Sequence, residues 1–444
     1  MNPIRHAAAA GLALLAVWGL AGCGGLPVTD RLAARMAAGD YETGLTLIEK
    51  SESQYAGPNS LLYHLDLGSF HQRAGNYAKS TQALEQAELL AEELYTKSVS
   101  EGLASFLVND TTLSYAGEDF EQVMINVIKA LNFLYQGDLE GAGVEARKVN
   151  TRLAQLADKY GDDAVYAEDA FARYLAAFAY EARGEYNDAY IDYKKALTGY
   201  ERYRKHYGTP VPDFLARDLL RMSRWLGFTR EYRRWRKRFP EAEAPSRRPR
   251  PRSEVLLVVY DGMINAKRTV YTRAAIKDAD GDPYLLKVAF PAFAPSRPAV
   301  SRVRVGLPDG EARPAQVAQP LGAIAVKNLE QRIGLISAKA IARATAKYIA
   351  AVQARRATRS KNEGMNLLMN IATNVYTAAT ERADTRSWRT LPYRFLLIRS
   401  EVPPGEHTLP VAAEGPGGAA RPGLEVRVCL EEGEKKAVPV YLPR

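Results

Sequence analysis

The sequence predicts an α+β protein: an N-terminal all-α helical repeat array, then a mixed β-sandwich-like domain with an inserted helical hairpin. Three observations predict it. Residues 28–240 are rich in Ala, Leu, Glu and Tyr at helical spacing with few prolines, and a Gly-centred turn recurs through them. From 253 onward, short β-branched runs alternate with Pro and Gly turns around one long Ala-rich stretch. Between the halves, residues 241–252 carry Pro245, Pro249 and Pro251, which favour an extended linker.

The N-terminus is read first, because a targeting segment must be left out of fold reasoning. Arg5 precedes an almost wholly apolar run from Ala7 to Leu20. A spanning helix needs about 20 such residues, so this run fits the core of a signal peptide. It leads into Leu20-Ala21-Gly22-Cys23, which resembles the lipobox of bacterial lipoproteins. The resemblance implies that residues 1–22 are removed as a signal peptide and that Cys23 is the lipid attachment site. Residues 23–27 then form a lipidated tether that holds the protein to the membrane. Gly24 in place of Asp implies the outer membrane, facing the periplasm. Cys429 is then the only remaining thiol, which excludes an intramolecular disulfide. Its alternating run Val426 to Leu430 predicts a strand with Cys429 as a small buried hydrophobe.

In the helical half the turns are Gly39-Asp40-Tyr41, Gly75-Asn76-Tyr77, Gly137-Asp138-Leu139 and Gly184-Glu185-Tyr186, each followed by a small residue. Gly ends one helix in a left-handed conformation, and the small residue lets the next helix pack close. Leu67-Gly68, His71, Leu84 and Ala87 extend one copy; Ala176-Ala177, Tyr180, Tyr193 and Ala196 extend another. These positions resemble the tetratricopeptide repeat. The turns are 36, 62 and 47 residues apart, so the array is divergent, with a degenerate fifth copy from Trp225-Leu226-Gly227 to Phe239-Pro240.

Asn109-Asp110, Tyr115, Gly117-Glu118, Phe120-Glu121, Leu131-Asn132, Gly137-Asp138, Glu145 and Arg147 form the most distinctive block of this half. The C-terminal half adds Val288 to Pro291, Ala383-Asp384 with Arg386-Ser387-Trp388 and Thr390-Leu391-Pro392, and Pro403-Pro404-Gly405. Together these resemble an uncharacterised family of proteobacterial outer-membrane lipoproteins with tetratricopeptide-like repeats. In some genomes its members are encoded beside a lipoprotein that activates a penicillin-binding protein, which implies a role in envelope assembly. That implication is by analogy.

In residues 253–444, the apolar run Glu254 to Tyr260 reads as a buried strand. Further strands are expected near 284–290, 299–305, 394–399, 424–430 and 438–442. Helices are expected over 327–357, on the stripe Ile333, Ile336, Ala340, Ala344 and Ile349, and over 362–383.

Chemistry is sparse. His64, His71, His206 and His407 have no metal-ligand spacing, and no nucleophile elbow, phosphate loop or dinucleotide fingerprint is present. No catalytic, metal or cofactor-binding residue is assigned, and Glu118, Asp119 and Glu121 read as acids that complement a helix start. Nine Lys or Arg between Arg233 and Arg252 interleave with Trp235 and Phe239, and account for much of the net charge of +9. In a periplasmic protein such a cluster meets no nucleic acid, so it points to anionic lipid or an acidic partner, or to a solvated hinge. Candidate partner-binding residues are Tyr115, Glu118, Glu121, Asn132, Arg147, Asp384, Arg386 and Trp388. For the last three, fixing a helix-to-strand corner is the alternative. The reading overall is a non-enzymatic, membrane-anchored scaffold binding protein partners in the cell envelope. The alternatives are an envelope enzyme such as a cell-wall hydrolase, or a secretion or pore subunit.

Overall fold

The structure, a computed structural model, describes residues 26–100, 113–161, 166, 168–242, 253–277, 283–295, 297–357 and 382–442. The described chain is α+β. It begins with helix pairs α1 (Val28–Ala38) and α2 (Tyr41–Lys50), the short α3 (Glu52–Tyr55), α4 (Ser60–Arg73) and α5 (Tyr77–Ser100), and α6 (Asp119–Tyr135) and α7 (Leu139–Tyr160). Two more pairs follow: α8 (Ala170–Ala182) with α9 (Tyr186–Tyr207), and α10 (Asp213–Trp225) with α11 (Thr229–Arg238).

Each of these five pairs turns on a left-handed glycine: Gly39, Gly75, Gly137, Gly184 and Gly227, with φ between 71° and 80°. An L side chain is strained there, which is why the turns are visible in the sequence. The helix after the turn is capped locally in two of the pairs: Asp40 accepts a hydrogen bond from the Thr43 N–H at 3.4 Å, and Asp138 from the Gly141 N–H at 2.8 Å. Within the second pair the helices touch at Gly68, where a β-carbon would lie 2.6 Å from the Leu84 side chain.

The strands are β1 (Glu254–Asp261), β2 (Lys267–Lys277), β3 (Pro283–Phe293), β4 (Arg302–Gly306), β5 (Ala312–Pro314), β6 (Gln316–Gln319), β7 (Arg394–Glu401), β8 (Gly405–Glu414), β9 (Leu424–Leu430) and β10 (Lys435–Tyr441). One sheet has the order β10-β1-β7-β6, with β1 parallel to β10 and antiparallel to β7. A second has the order β5-β4-β8-β9, and β2 and β3 form a separate hairpin. The remaining helix, α12, runs Leu321–Ala357, six residues earlier than its expected start, because Pro320 is already in place to open it. The second expected helix, 362–383, falls almost wholly outside the described residues, as does 243–252 of the linker.

The eight residues of β1 are all buried, and the reason is a three-layer architecture. Val255, Leu257 and Val259 face the second sheet, meeting Val303, Val305, Leu409, Val411, Val426 and Val428. Leu256, Val258 and Tyr260 face the other way, into the core of the helical array. Phe395 of β7 packs there against Phe171 at 5.1 Å and Tyr260 at 4.8 Å between ring centroids. The expected boundary between the halves is thus crossed by one continuous core. A single fully buried Leu or Val is worth about 1.5–3 kcal/mol, so this layer alone holds the halves together firmly.

Strand β9 corrects one expectation. Val426, Val428 and Leu430 point inward, and alternation turns Cys429 outward with Glu425 and Arg427, so the thiol is exposed.

Candidate functional site

The signature residues from the two halves meet at the start of α6. Glu118 is its N-cap and Glu121 its third residue, and the two form a reciprocal capping box. Glu121 is 1% exposed, and its two oxygens are fully committed. Oε2 accepts from the Tyr115 hydroxyl at 2.5 Å and the Glu118 N–H at 3.1 Å; Oε1 accepts from the Trp388 N–H at 2.7 Å. Glu118 pairs with Lys267 Nζ of β2 and Arg332 Nη1 of α12, each at 2.5 Å. Asp119 accepts from the Tyr160 hydroxyl at 2.6 Å and pairs with Lys159 at 3.2 Å.

These surroundings set opposite titrations on neighbouring acids. Glu118 is buried, yet Lys267 and Arg332 overcome desolvation and hold its carboxyl down at about 2. Burial, reinforced by the Glu118 charge, pushes Glu121 up to about 7.

The segment 382–393 lies across the array beside this box. Asp384 grips the Arg386 guanidinium with both oxygens, at 2.9 and 2.7 Å, and also accepts from the Arg386 N–H. Arg386 Nη1 then donates to the carbonyls of Pro58 at 3.1 Å and Leu113 at 3.0 Å, with its guanidinium carbon 5.2 Å from the centre of the Tyr115 ring. Trp388 is wholly buried, and its indole N–H donates to Ser69 Oγ of α4 at 2.8 Å. Thr390 donates to Asp66 Oδ1 at 3.0 Å, and the Tyr55 hydroxyl donates to Asp66 Oδ2 at 2.8 Å. Burial raises Asp66 to about 6.

Seven of the eight candidate partner-binding residues therefore require correction, Arg147 being the exception. Tyr115, Glu118, Glu121, Asp384, Arg386 and Trp388 come together, but with their polar groups bonded inside the fold, and of the six only Asp384 is more than marginally exposed. Asn132 is elsewhere and fully buried, accepting from Gln72 at 2.8 Å and donating to Ser80 Oγ at 2.9 Å between α4, α5 and α6. Arg147 is exposed on α7 and donates to the Tyr180 hydroxyl at 2.9 Å. What the sequence marked as a binding motif is a clamp between the array and the C-terminal half.

A second constellation escaped the sequence reading. Glu181 of α8, Asp218 and Arg221 of α10, Glu254 of β1, Arg399 of β7 and Lys435 of β10 share the buried array–sheet junction. Arg399 contacts Glu181 at 2.9 Å, Asp218 at 3.1 Å and Glu254 at 2.6 Å; Lys435 Nζ reaches Glu254 at 2.5 Å. Arg221 reaches Glu181 at 2.8 Å and Asp218 at 2.7 Å. Three acids face three bases, so the charge closes on itself. The available signal was Glu254 and Arg399 embedded in otherwise apolar strand runs.

Of the basic cluster, the described part is α11 and the residues after it. Arg233, Arg234 and Lys237 are exposed, and Arg238 pairs with Glu201. Trp235 does not interleave with them as a ligand contact: it is buried and donates to the Tyr190 hydroxyl at 2.9 Å. Next to α11 a cavity of about 560 Å³ opens between α10 and the β6–β7 edge, lined by Phe214, Arg217, Phe239, Pro314 and Gln316. Arg217 is half-buried and makes no ion pair or hydrogen bond with any described residue.

No protein-family model and no curated protein matches the chain. Among solved structures, MamA AMB-1 aligns at 15% identity over 48% of this chain and 87% of its own, with a TM-score of 0.29. BtubC (BKLC) from P. vanneervenii aligns at 16% over 49% and 81%, with a TM-score of 0.30. At those scores the likeness carries no argument.

Proposed function

We propose that the chain is a non-enzymatic, membrane-anchored periplasmic scaffold lipoprotein of the cell envelope, tethered through Cys23 to the outer membrane, and that its five helix pairs are divergent tetratricopeptide repeats. The family resemblance in the sequence supports the envelope setting. One observation carries the scaffold reading. The array is clamped to the sheet by its own motif residues, while its last pair leaves an open cavity of about 560 Å³ with apolar and charged walls, in which Arg217 has no ion-pair or hydrogen-bond partner among the described residues. A rigid array ending in a half-apolar pocket lined by Arg217, Arg238, Arg313 and Arg399 against Asp213 and Glu241 carries an excess of positive charge suited to an acidic segment of a protein partner. The exposed bases Arg233, Arg234 and Lys237 of α11 extend the same positive surface.

The test is affinity capture of the intact lipoprotein from detergent-solubilised envelopes. Parent protein should recover a stable protein partner that Arg217→Glu with Phe239→Asp loses, with the circular dichroism spectrum unchanged. Recovery of the same proteins by both, or of none above background, overturns the reading. Cys23→Ser should move the protein from the membrane to the soluble periplasmic fraction with its fold intact.

A further inference from the structure

Large apolar side chains left exposed are not spread evenly. Of the ten among the described residues, six lie on α12 or β2: Val270, Tyr271, Val326, Leu335, Ile341 and Ile349. One face of α12 packs inward, where Ala340 and Ala344 meet Val288 and Phe290 of β3. The opposite face presents Gly334, Leu335, Ala338, Ile341, Ala342, Thr345, Ile349 and Ala350, all exposed and all uncharged. Their spacing lines them into one stripe about 24 Å long at 1.5 Å per residue. Leu335, Ile341 and Ile349 stand in it at 58%, 50% and 49% exposure, a cost in water that calls for an occupant.

The charge around the stripe selects that occupant. Residues 331–357 contain no Asp or Glu, and although Arg332 and Lys267 are taken up by Glu118 and Arg343 is buried, Arg268 and Arg273 of β2 stand exposed with no acid on that strand. Two copies of this face would bring like charges together, whereas an anionic surface complements it. No helix among the described residues is long and apolar enough to cross a membrane. An uncharged stripe flanked by cations is instead the layout of a helix lying in the lipid interface, and the exposed Tyr271 suits the same depth.

The position of this arm, α12 with the β2–β3 hairpin, agrees. Met263 to Ala266, just ahead of β2, face Ala33, Ala34 and Ala37 of α1 across a cavity of about 280 Å³, and Arg389 pairs with Asp30 of α1 beside it. The arm thus leaves the body next to the helix that follows Cys23 in sequence.

We propose that α12 and the β2–β3 hairpin form a second membrane contact that seats on anionic lipid. It rests on the lipoprotein reading only for the word "second". The test uses the chain from residue 23 onward carrying Cys23→Ser, which lacks both the apolar Ala7–Leu20 run and any acyl anchor, so neither signal processing nor lipidation can change its outcome. Its partitioning is measured by flotation with phosphatidylcholine vesicles, with and without one quarter phosphatidylglycerol. The expected result is at least tenfold stronger binding to the anionic vesicles, weakened by salt. Leu335→Asp with Ile341→Asp and Ile349→Asp should remove at least tenfold of that binding. Arg268→Glu with Arg273→Glu, two exposed positions whose reversal spares the packing, should erase the preference for phosphatidylglycerol. Three results would each overturn the proposal: equal partitioning of parent and triple variant, no preference for anionic vesicles, or a parent dimer that the triple variant dissolves while vesicle binding stays the same. The last assigns the face to a second copy. Capture of an acidic protein through this face, with no vesicle preference, assigns it to that protein and equally sinks the lipid.

Discussion

Trp388→Ala is the sharpest probe of the clamp. The side chain is wholly buried between the array and the C-terminal half, and its indole N–H is bonded to Ser69 at 2.8 Å. Truncating a buried Trp to Ala removes its transfer free energy and leaves a cavity, about 3–5 kcal/mol together. The Ser69 hydroxyl, 6% exposed, also loses its partner, which adds about 1 kcal/mol. A loss of about 4–6 kcal/mol is a large fraction of the 5–15 kcal/mol that folded domains typically hold. At a urea slope of about 3 kcal/mol per molar, the midpoint falls by about 1.5 M. Equilibrium urea unfolding followed by Trp-independent far-ultraviolet circular dichroism measures it. Trp388→Phe keeps most of the ring contact and should lose only about 1–2 kcal/mol, separating packing from the hydrogen bond. If Trp388→Ala shifts the midpoint by under 0.3 M, about 1 kcal/mol, the segment is not a structural clamp and its residues return to being candidates for a partner.

Four further outcomes follow from the same geometry. Glu121 titrates at about 7 in the fold against an ordinary 4.5, so between those values the folded state binds more protons than the unfolded one. Its contribution to stability therefore falls as pH rises from 4.5 to 7, and Glu121→Gln should abolish that slope in pH-resolved denaturation. Glu118, held at about 2, acts oppositely: its stabilisation is present above 4.5 and lost as pH drops toward 2, a loss that Glu118→Gln should remove. Arg399→Met leaves Glu181, Asp218 and Glu254 to two bases, and should cost about 3–5 kcal/mol in the same urea assay. Gly68→Ala drives a β-carbon to 2.6 Å from Leu84, so about 1–3 kcal/mol should be lost, while Gly334→Ala, with open space around it, should be neutral or slightly stabilising.

Much of the helical half was legible because its determinants are local. A left-handed turn needs Gly at one position, and the five turn glycines stand in the sequence in order. The Glu118–Glu121 box was read correctly as a helix start, since a cap is written within four residues. Parity misled the reading of Cys429: an alternating strand leaves one residue in two outside, and the neighbouring valines claimed the inside. Strand β8 was missed because Glu406, His407 and Pro410 interrupt an apolar pattern that only Leu409, Val411 and Ala413 carry. The Glu181–Arg399 junction joins residues more than 200 positions apart, and no local pattern encodes such a pairing.

The functional motif was legible as distinctive but not as what it is. Distinctive polar residues in a repeat protein invite a binding reading, yet here those of the Tyr115–Glu121 and Asp384–Trp388 blocks spend their hydrogen bonds inside the fold, on each other and on neighbouring elements. The apolar run of β1 held the decisive hint, because eight consecutive buried residues require cover on both faces of the sheet. With a second sheet on one face, the helical array had to be the cover on the other. An array whose face is buried in this way has no free surface there for a ligand. The recognition surfaces must therefore be sought where the fold leaves apolar or charged groups unsatisfied: at the cavity beside α10 and α11, and along the outer stripe of α12.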